Sequence, residues 1–216
     1  MPTVTTLETQ KKNRQRVNVF LDGRYAFGLQ ATVAAALRVG QGLPSEEVER
    51  LLKQDETEVA YEHALNYLGY RPRSCAEVRQ RLQRRKVREP AIESVVERLA
   101  ASGLLDDVAF AKYWVDNRES FRPRGLRSLQ WELRIKGVAD AVIGAATASI
   151  DESESAYRAA SARASRLCGL DRETFRRRLG GHLQRRGYSF ATVSEAVNRV
   201  WNEMQNAGSE GSDKSP

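Results

Sequence analysis

The side chains in this sequence best placed for chemistry are arginines that recur in register. Arg71 and Arg73 reappear 51 positions later as Arg122 and Arg124, in each case just ahead of a predicted helix. Arg81, Arg84, Arg85 and Arg88 follow i, i+3, i+4, i+7 spacing, which predicts one basic helical face opposite the apolar positions. Arg134 and Lys136, then Arg185 and Arg186, fall at the corresponding helix end further along the chain. A guanidinium is a planar fork of donors that fits a carboxylate or a phosphate equally well. The pattern therefore calls for an anionic partner, and the chemistry is binding rather than bond-making. The same cations would also serve as solvated charges at helix C-termini.

Groups suited to catalysis are sparse. The sequence has no phosphate loop of the form G-x-x-x-x-G-K-[ST], no G-x-G-x-x-G, no H-E-x-x-H and no G-x-S-x-G. His63 and His182 sit on predicted helices without a cysteine or carboxylate at ligand spacing. Asp106 and Asp107 read as a helix cap and a first-turn acid rather than a metal pair. No catalytic residue, metal ligand or cofactor is expected. Cys75 and Cys168 are 93 residues apart and fit reduced thiols, hence a cytoplasmic protein. No apolar run approaches the roughly 18 residues of a membrane span. The net charge of +7 and pI near 9.6 bear on partners (nucleic acid, an acidic protein surface, or both) rather than on fold.

The elements that must position these arginines repeat with a period of about 51. Arg71-Pro72-Arg73 precedes a helix with Cys75, Val78 and Leu82, then Lys86-Val87, then a helix with Ile92, Val95, Val96 and Leu99. The second copy reads Arg122-Pro123-Arg124, Leu126, Leu129, Leu133, Gly137-Val138, then Ile143, Ala146, Thr147 and Ile150. The third keeps Leu179, Leu183, Gly187-Tyr188, Val193, Ala196, Val197 and Val200, with Phe175 taking the core place where Arg176 breaks the pattern. Such periodicity is the signature of a repeat architecture. Each copy reads as three helices: 57–69, 74–85 and 89–101; 106–118, 123–136 and 139–150; 152–168, 171–186 and 189–203. Tyr61, Ala64, Leu65 and Leu68 form one apolar stripe. Ser74 with Glu77, and Asp151 with Glu154, read as capping boxes, and Gly103 as a left-handed C-cap. Trp114 is expected in the core beside Phe110, and Trp131 at the surface.

Residues 3–29 differ. Val17, Val19 and Leu21 alternate with Arg16, Asn18 and Phe20, Asp22-Gly23 signals a two-residue hairpin, and Tyr25, Phe27 and Leu29 alternate after it. Phe20 should face Tyr25, and Thr3 to Thr9 supplies a third strand. Helices at Ala31–Leu37 and Ser45–Leu52 would cover this small meander. The fold expected is mainly α: three tandem three-helix, helix-turn-helix-like repeats in an elongated array, with a small N-terminal β-hairpin or meander module. The divisions are 1–55 for that module, 56–105, 106–150 and 151–204 for the repeats, and 205–216 for a disordered tail.

These residues resemble the RecX family of recombination regulators. The resemblance rests on Ala64-Leu65-Asn66-Tyr67-Leu68, Arg71-Pro72-Arg73-Ser74 with Glu77, Val78 and Leu82, and Gly103-Leu104-Leu105-Asp106-Asp107 with Phe110-Ala111. Gly125, Leu133, Lys136, Gly137 and Val138 extend it, and Arg16 to Gly23 is similar to the N-terminal extension of many members. It spans about residues 5–203; Lys86 departs from it, standing where glycine is common. The resemblance implies a binding protein that lies, as a monomer, in the groove of a RecA–single-stranded DNA filament. There it would damp ATP hydrolysis, strand exchange and coprotease activity, and so act in DNA repair and the SOS response. Single- or double-stranded DNA is a further candidate partner, and no membrane is expected. The rival reading is a sequence-independent DNA-binding protein of helix-turn-helix type, whose affinity for bare DNA would fall steeply with salt.

Overall fold

The computed structural model describes residues 1–210, with side chains as far as Asn206. It comprises two compact units, Met1–Leu105 and Asp106 onward. In the first, β1 (Val4–Thr9), β2 (Arg16–Leu21) and β3 (Arg24–Gln30) form an antiparallel meander in sequence order. Asp22 and Gly23 both take positive φ, 49° and 79°, as a two-residue hairpin turn requires. Phe20 lies opposite Tyr25 with ring centroids 6.0 Å apart in an edge contact. A register shift between Val19 and Phe20 interrupts the expected alternation of Tyr25, Phe27 and Leu29. Leu29 is buried and Phe27 half-buried against the core, whereas Tyr25 is 60% exposed. A bulge of this kind puts two residues of one strand opposite one of the other, which re-aims a side chain.

Sequence reading separates a helix at 45–52 from another at 57–69; the structure joins them. α1 (Ala31–Ala34) is a single short turn, and α2 runs without interruption from Ser45 to Leu68. Nothing between Lys53 and Thr57 is glycine or proline, so no residue there stops the helix. The expected module boundary at 55/56 therefore falls in mid-helix. The first half of α2 buries Leu51 against Val4, Val19, Leu29, Val33 and Leu43. The second half buries Ala60 and Ala64 against α3 (Cys75–Arg84) and α4 (Glu89–Ala101), through Val78, Leu82, Ile92, Val95 and Leu99. Leu65, expected in that stripe, is exposed.

The second unit carries two further three-helix copies. α5 (Asp107–Phe121), α6 (Leu126–Ile135) and α7 (Asp140–Thr147) enclose Phe110, Ala111, Val115, Leu133 and Ile143. α8 (Glu152–Ala164) and a 3₁₀ turn at Ser165–Leu167 precede α9 (Arg172–Arg185) and α10 (Phe190–Glu210) around Ala160, Phe175, Leu179, Leu183 and Val197. Phe175 is fully buried, filling the place where Arg176 breaks the pattern. α6 begins three residues later than expected: the chain is still extended at Gly125, its N-cap, at ψ 154°. α10 outlasts the expected tail start at 205: Trp201 and Met204 still pack on the third core, and the helix continues to Glu210. The rest of the expected tail, 211–216, lies outside the described residues.

Candidate partner-binding surface

In each copy the second helix ends in the same device. Lys86, Gly137 and Gly187 all take left-handed φ, at 61°, 74° and 86°. The next residue's amide then donates back to a core leucine: Val87 to Leu82, Val138 to Leu133, Tyr188 to Leu183, at 3.3, 3.1 and 3.4 Å. This is a Schellman turn, which satisfies the last helical carbonyls and turns the chain sharply towards the third helix. The basic residues cluster around these turns because cations are favoured where the helix dipole is negative.

The turn also redistributes the arginines that sequence spacing aligns. α3 stops at Arg84, so Arg88 is not on its face; Arg88 precedes α4 and is paired with Glu56 of α2. Arg85 donates towards His63 Nε2 at 3.1 Å. Burial, with the Arg85 charge second, holds His63 below the ordinary histidine value. Arg81 and Arg73 flank one aromatic ring, their guanidiniums 5.5 and 4.0 Å from the centroid of Tyr67. Arg73 Nε is buried and has no hydrogen-bond partner among the described residues. Arg71 grips Glu77 with two hydrogen bonds of 2.7 and 3.2 Å, inside the capping box that Ser74 and Glu77 form at the start of α3. Arg84 is exposed and makes no ion pair or hydrogen bond among the described residues.

In the second unit, Arg124 and Arg118 both pair with Glu132, which also accepts from Trp114 Nε1 at 2.8 Å. Trp114 is thus half-buried with its polar edge satisfied, while Trp131 is 62% exposed. Lys136 lies 4.2 Å above the Trp114 ring. Arg134 pairs with Asp140 at 2.7 Å, both well exposed. Such a surface pair contributes little and leaves both groups available to a partner. Arg186 donates to the Pro123 carbonyl at 3.0 Å, and its own carbonyl accepts from Gly125 N at 3.0 Å. The Arg122-Pro123-Arg124 segment of one copy is thereby bound to the α9 turn of the next. Arg122 and Arg185 are exposed there without an ion partner among the described residues. Burial, then Arg186, Arg163 and Arg185, holds His182 below its ordinary value.

Of the aligned basic set, Arg84, Arg122 and Arg185 are thus open to a partner, while most of the others hold the fold. Spacing alone could not separate these roles, since pairing depends on where each carboxylate lands in the fold: Glu77 and Glu132 lie within ten residues of their arginines, whereas Glu56 is 32 from Arg88. Sequence reading also passed over Arg172, Arg177 and Arg178, which are exposed on α9; the run Arg176-Arg177-Arg178 was the signal. Asp106 caps α5 by accepting from the Val108 and Ala109 amides, and Asp107 occupies its first turn. No cluster of three or more His, Cys, Asp or Glu among the described residues could hold a metal. No helix among them is long and apolar enough to cross a membrane.

Comparison with known proteins places this arrangement. Residues 2–43 match the N-terminal domain of the regulatory protein RecX, and 60–99, 106–146 and 151–197 match the first, second and third three-helix domains of RecX. Regulatory protein RecX of Bacillus subtilis is 32% identical over 205 residues, covering 93% of this chain and 78% of that protein. The Bacillus licheniformis protein of the same name is 33% identical, covering 91% and 77%. A crystal structure of regulatory protein RecX shares the fold with a TM-score of 0.72 at 23% identity, over 92% of this chain and all of that one. A second, of RecX from Lactobacillus salivarius, gives 0.59 at 22% identity over 68% of this chain and 97% of that one.

Proposed function

This chain belongs to the RecX family, and from that premise we propose that it is a regulator of the RecA recombinase that acts by binding alone. It binds RecA polymerised on single-stranded DNA, lies in the filament groove, and lowers ATP hydrolysis, strand exchange and coprotease activity. The observation that carries this reading is the in-order match of four segments of the chain to regulatory relatives. Physical support comes from Arg84, Arg122 and Arg185, exposed at or near the repeat turns and paired with no carboxylate among the described residues. Such groups suit a surface that offers both protein carboxylates and DNA phosphate. The protein would work in the cytoplasm, as a monomer.

The test is ATP hydrolysis by the cognate recombinase on single-stranded DNA, titrated with this protein, alongside binding to bare DNA. Inhibition at substoichiometric protein is the expected result. Absence of inhibition, with tight and salt-sensitive binding to bare DNA, would replace this reading with the DNA-binding one.

A further inference from the structure

The greatest concentration of unneutralised charge among the described residues lies in the third copy. Arg172 to Arg186 holds six arginines against one glutamate, and no Asp or Glu occurs from Thr174 to Ser194. Elsewhere many arginines are matched, as Arg79 is with Glu93, Arg98 with Glu58, Arg158 with Glu119 and Arg199 with Glu154. On α9, Arg172, Arg176, Arg177 and Arg178 are exposed and make no ion pair or hydrogen bond among the described residues. Four adjacent guanidiniums left without counter-charge repel one another, an arrangement that stabilises nothing within the fold.

A groove of about 450 Å³ adjoins two of them, lined by Arg176, Arg177, Gln184, Phe190 and Ser194 over Val193 and Val197. Glu173 is its one carboxylate. Phe190, the first residue of α10, contributes a ring that is 79% exposed. We infer that this groove is a binding subsite for single-stranded nucleic acid, with Arg176 and Arg177 on phosphates and Phe190 stacked on a base. Unpaired cations beside an open aromatic face are the combination that single strands require, because only an unpaired base presents its π-face. A duplex would use the cations and leave the ring idle. The subsite goes beyond the filament reading, since it operates without recombinase.

The experiment is fluorescence anisotropy of labelled oligo(dT), and of a duplex of equal length, with the full chain at two salt concentrations. Wild type is compared with the Arg176→Glu/Arg177→Glu double variant, Phe190→Ala and Phe190→Trp, each checked for native circular dichroism. The double variant should lose at least about tenfold in single-strand affinity, and its salt slope should fall by roughly 1.4, the value for two phosphates on a single strand. Phe190→Ala should weaken single-strand binding about five- to a hundredfold while sparing the duplex, and Phe190→Trp should retain it. Unchanged single-strand affinity in the double variant and in Phe190→Ala overturns the inference, as does an equal effect of Phe190→Ala on duplex and single strand. Absence of DNA binding by the wild type, with the double variant losing only recombinase inhibition, would assign the patch to an acidic protein instead. Inhibition of the recombinase by wild type is measured in parallel. Its failure defeats the filament reading alone and leaves the anisotropy result standing.

Discussion

At the scale of single residues, the two histidines set an acid limit on stability. Burial and facing arginines hold both His63 and His182 below the ordinary value of 6.5, so the folded chain resists protons that the unfolded chain accepts. Around His63 the facing charges are Arg85, Glu62 and Arg81; around His182 they are Arg186, Arg163 and Arg185. Their stabilising contribution is present above pH 6.5 and is lost as pH falls through the lower folded values. Urea midpoints at about pH 7.5 and about pH 5.5 should therefore differ, with the acid midpoint lower, and His63→Gln with His182→Gln should narrow the gap. Lys86 is a second residue under strain, holding φ 61° where the other copies use glycine. Lys86→Gly should raise stability by about 0.5–1 kcal/mol, because relief of the left-handed strain outweighs the added freedom of the unfolded chain. Differential scanning calorimetry would read it. Burial also pushes the Tyr188 phenol up to about 12, where it shares a hydrogen bond of 3.0 Å with the buried Ser155 hydroxyl.

At the scale of elements, the copies share one interior device, a buried leucine at the turn that ends the second helix. Leu82 is fully buried at the Schellman turn of the first copy, and Leu82→Ala should cost about 2–5 kcal/mol in urea unfolding. Gly125 is the joint between the second and third copies, where an added Cβ would collide with the Gly187 carbonyl. Gly125→Ala should cost about 1–3 kcal/mol and broaden or split the thermal transition of the second unit. What sequence disclosed at this scale was the local part: the Asp22-Gly23 turn, the Ser74–Glu77 capping box, the Asp106 cap and the recurring leucines. What it concealed depends on residues far apart in the chain. The pairing of Glu56 with Arg88 spans 32 positions, and the grip of Asp55 on Arg16 and the Gln30 amide spans 39 and 25. The bulge at Ala26, opposite Phe20, is hidden for the same reason, since it is set by pairing between strands rather than by either strand's own pattern.

At the scale of the whole molecule, the distribution of spent and unspent charge matters more than its sum. If the filament reading holds, reversing Arg84 and Arg85 to glutamate should weaken inhibition of recombinase ATP hydrolysis by about tenfold or more while circular dichroism stays native. Equal inhibition by that variant would remove the first copy's turn from the contact surface. Reversing Arg71 or Arg88 should instead lower stability, because each would set an acid against Glu77 or Glu56. Sequence could not sort these two classes, since all four arginines have the same type and similar spacing. The uninterrupted α2 has a consequence for how such a chain can change over time. Its two halves are locked in angular phase, and one inserted residue near Asp55 would rotate Leu51 relative to Ala60 by about 100°. Insertions and deletions should therefore be tolerated ahead of Ser45 and after Leu68, while α2 keeps a constant length as long as both cores must close on it.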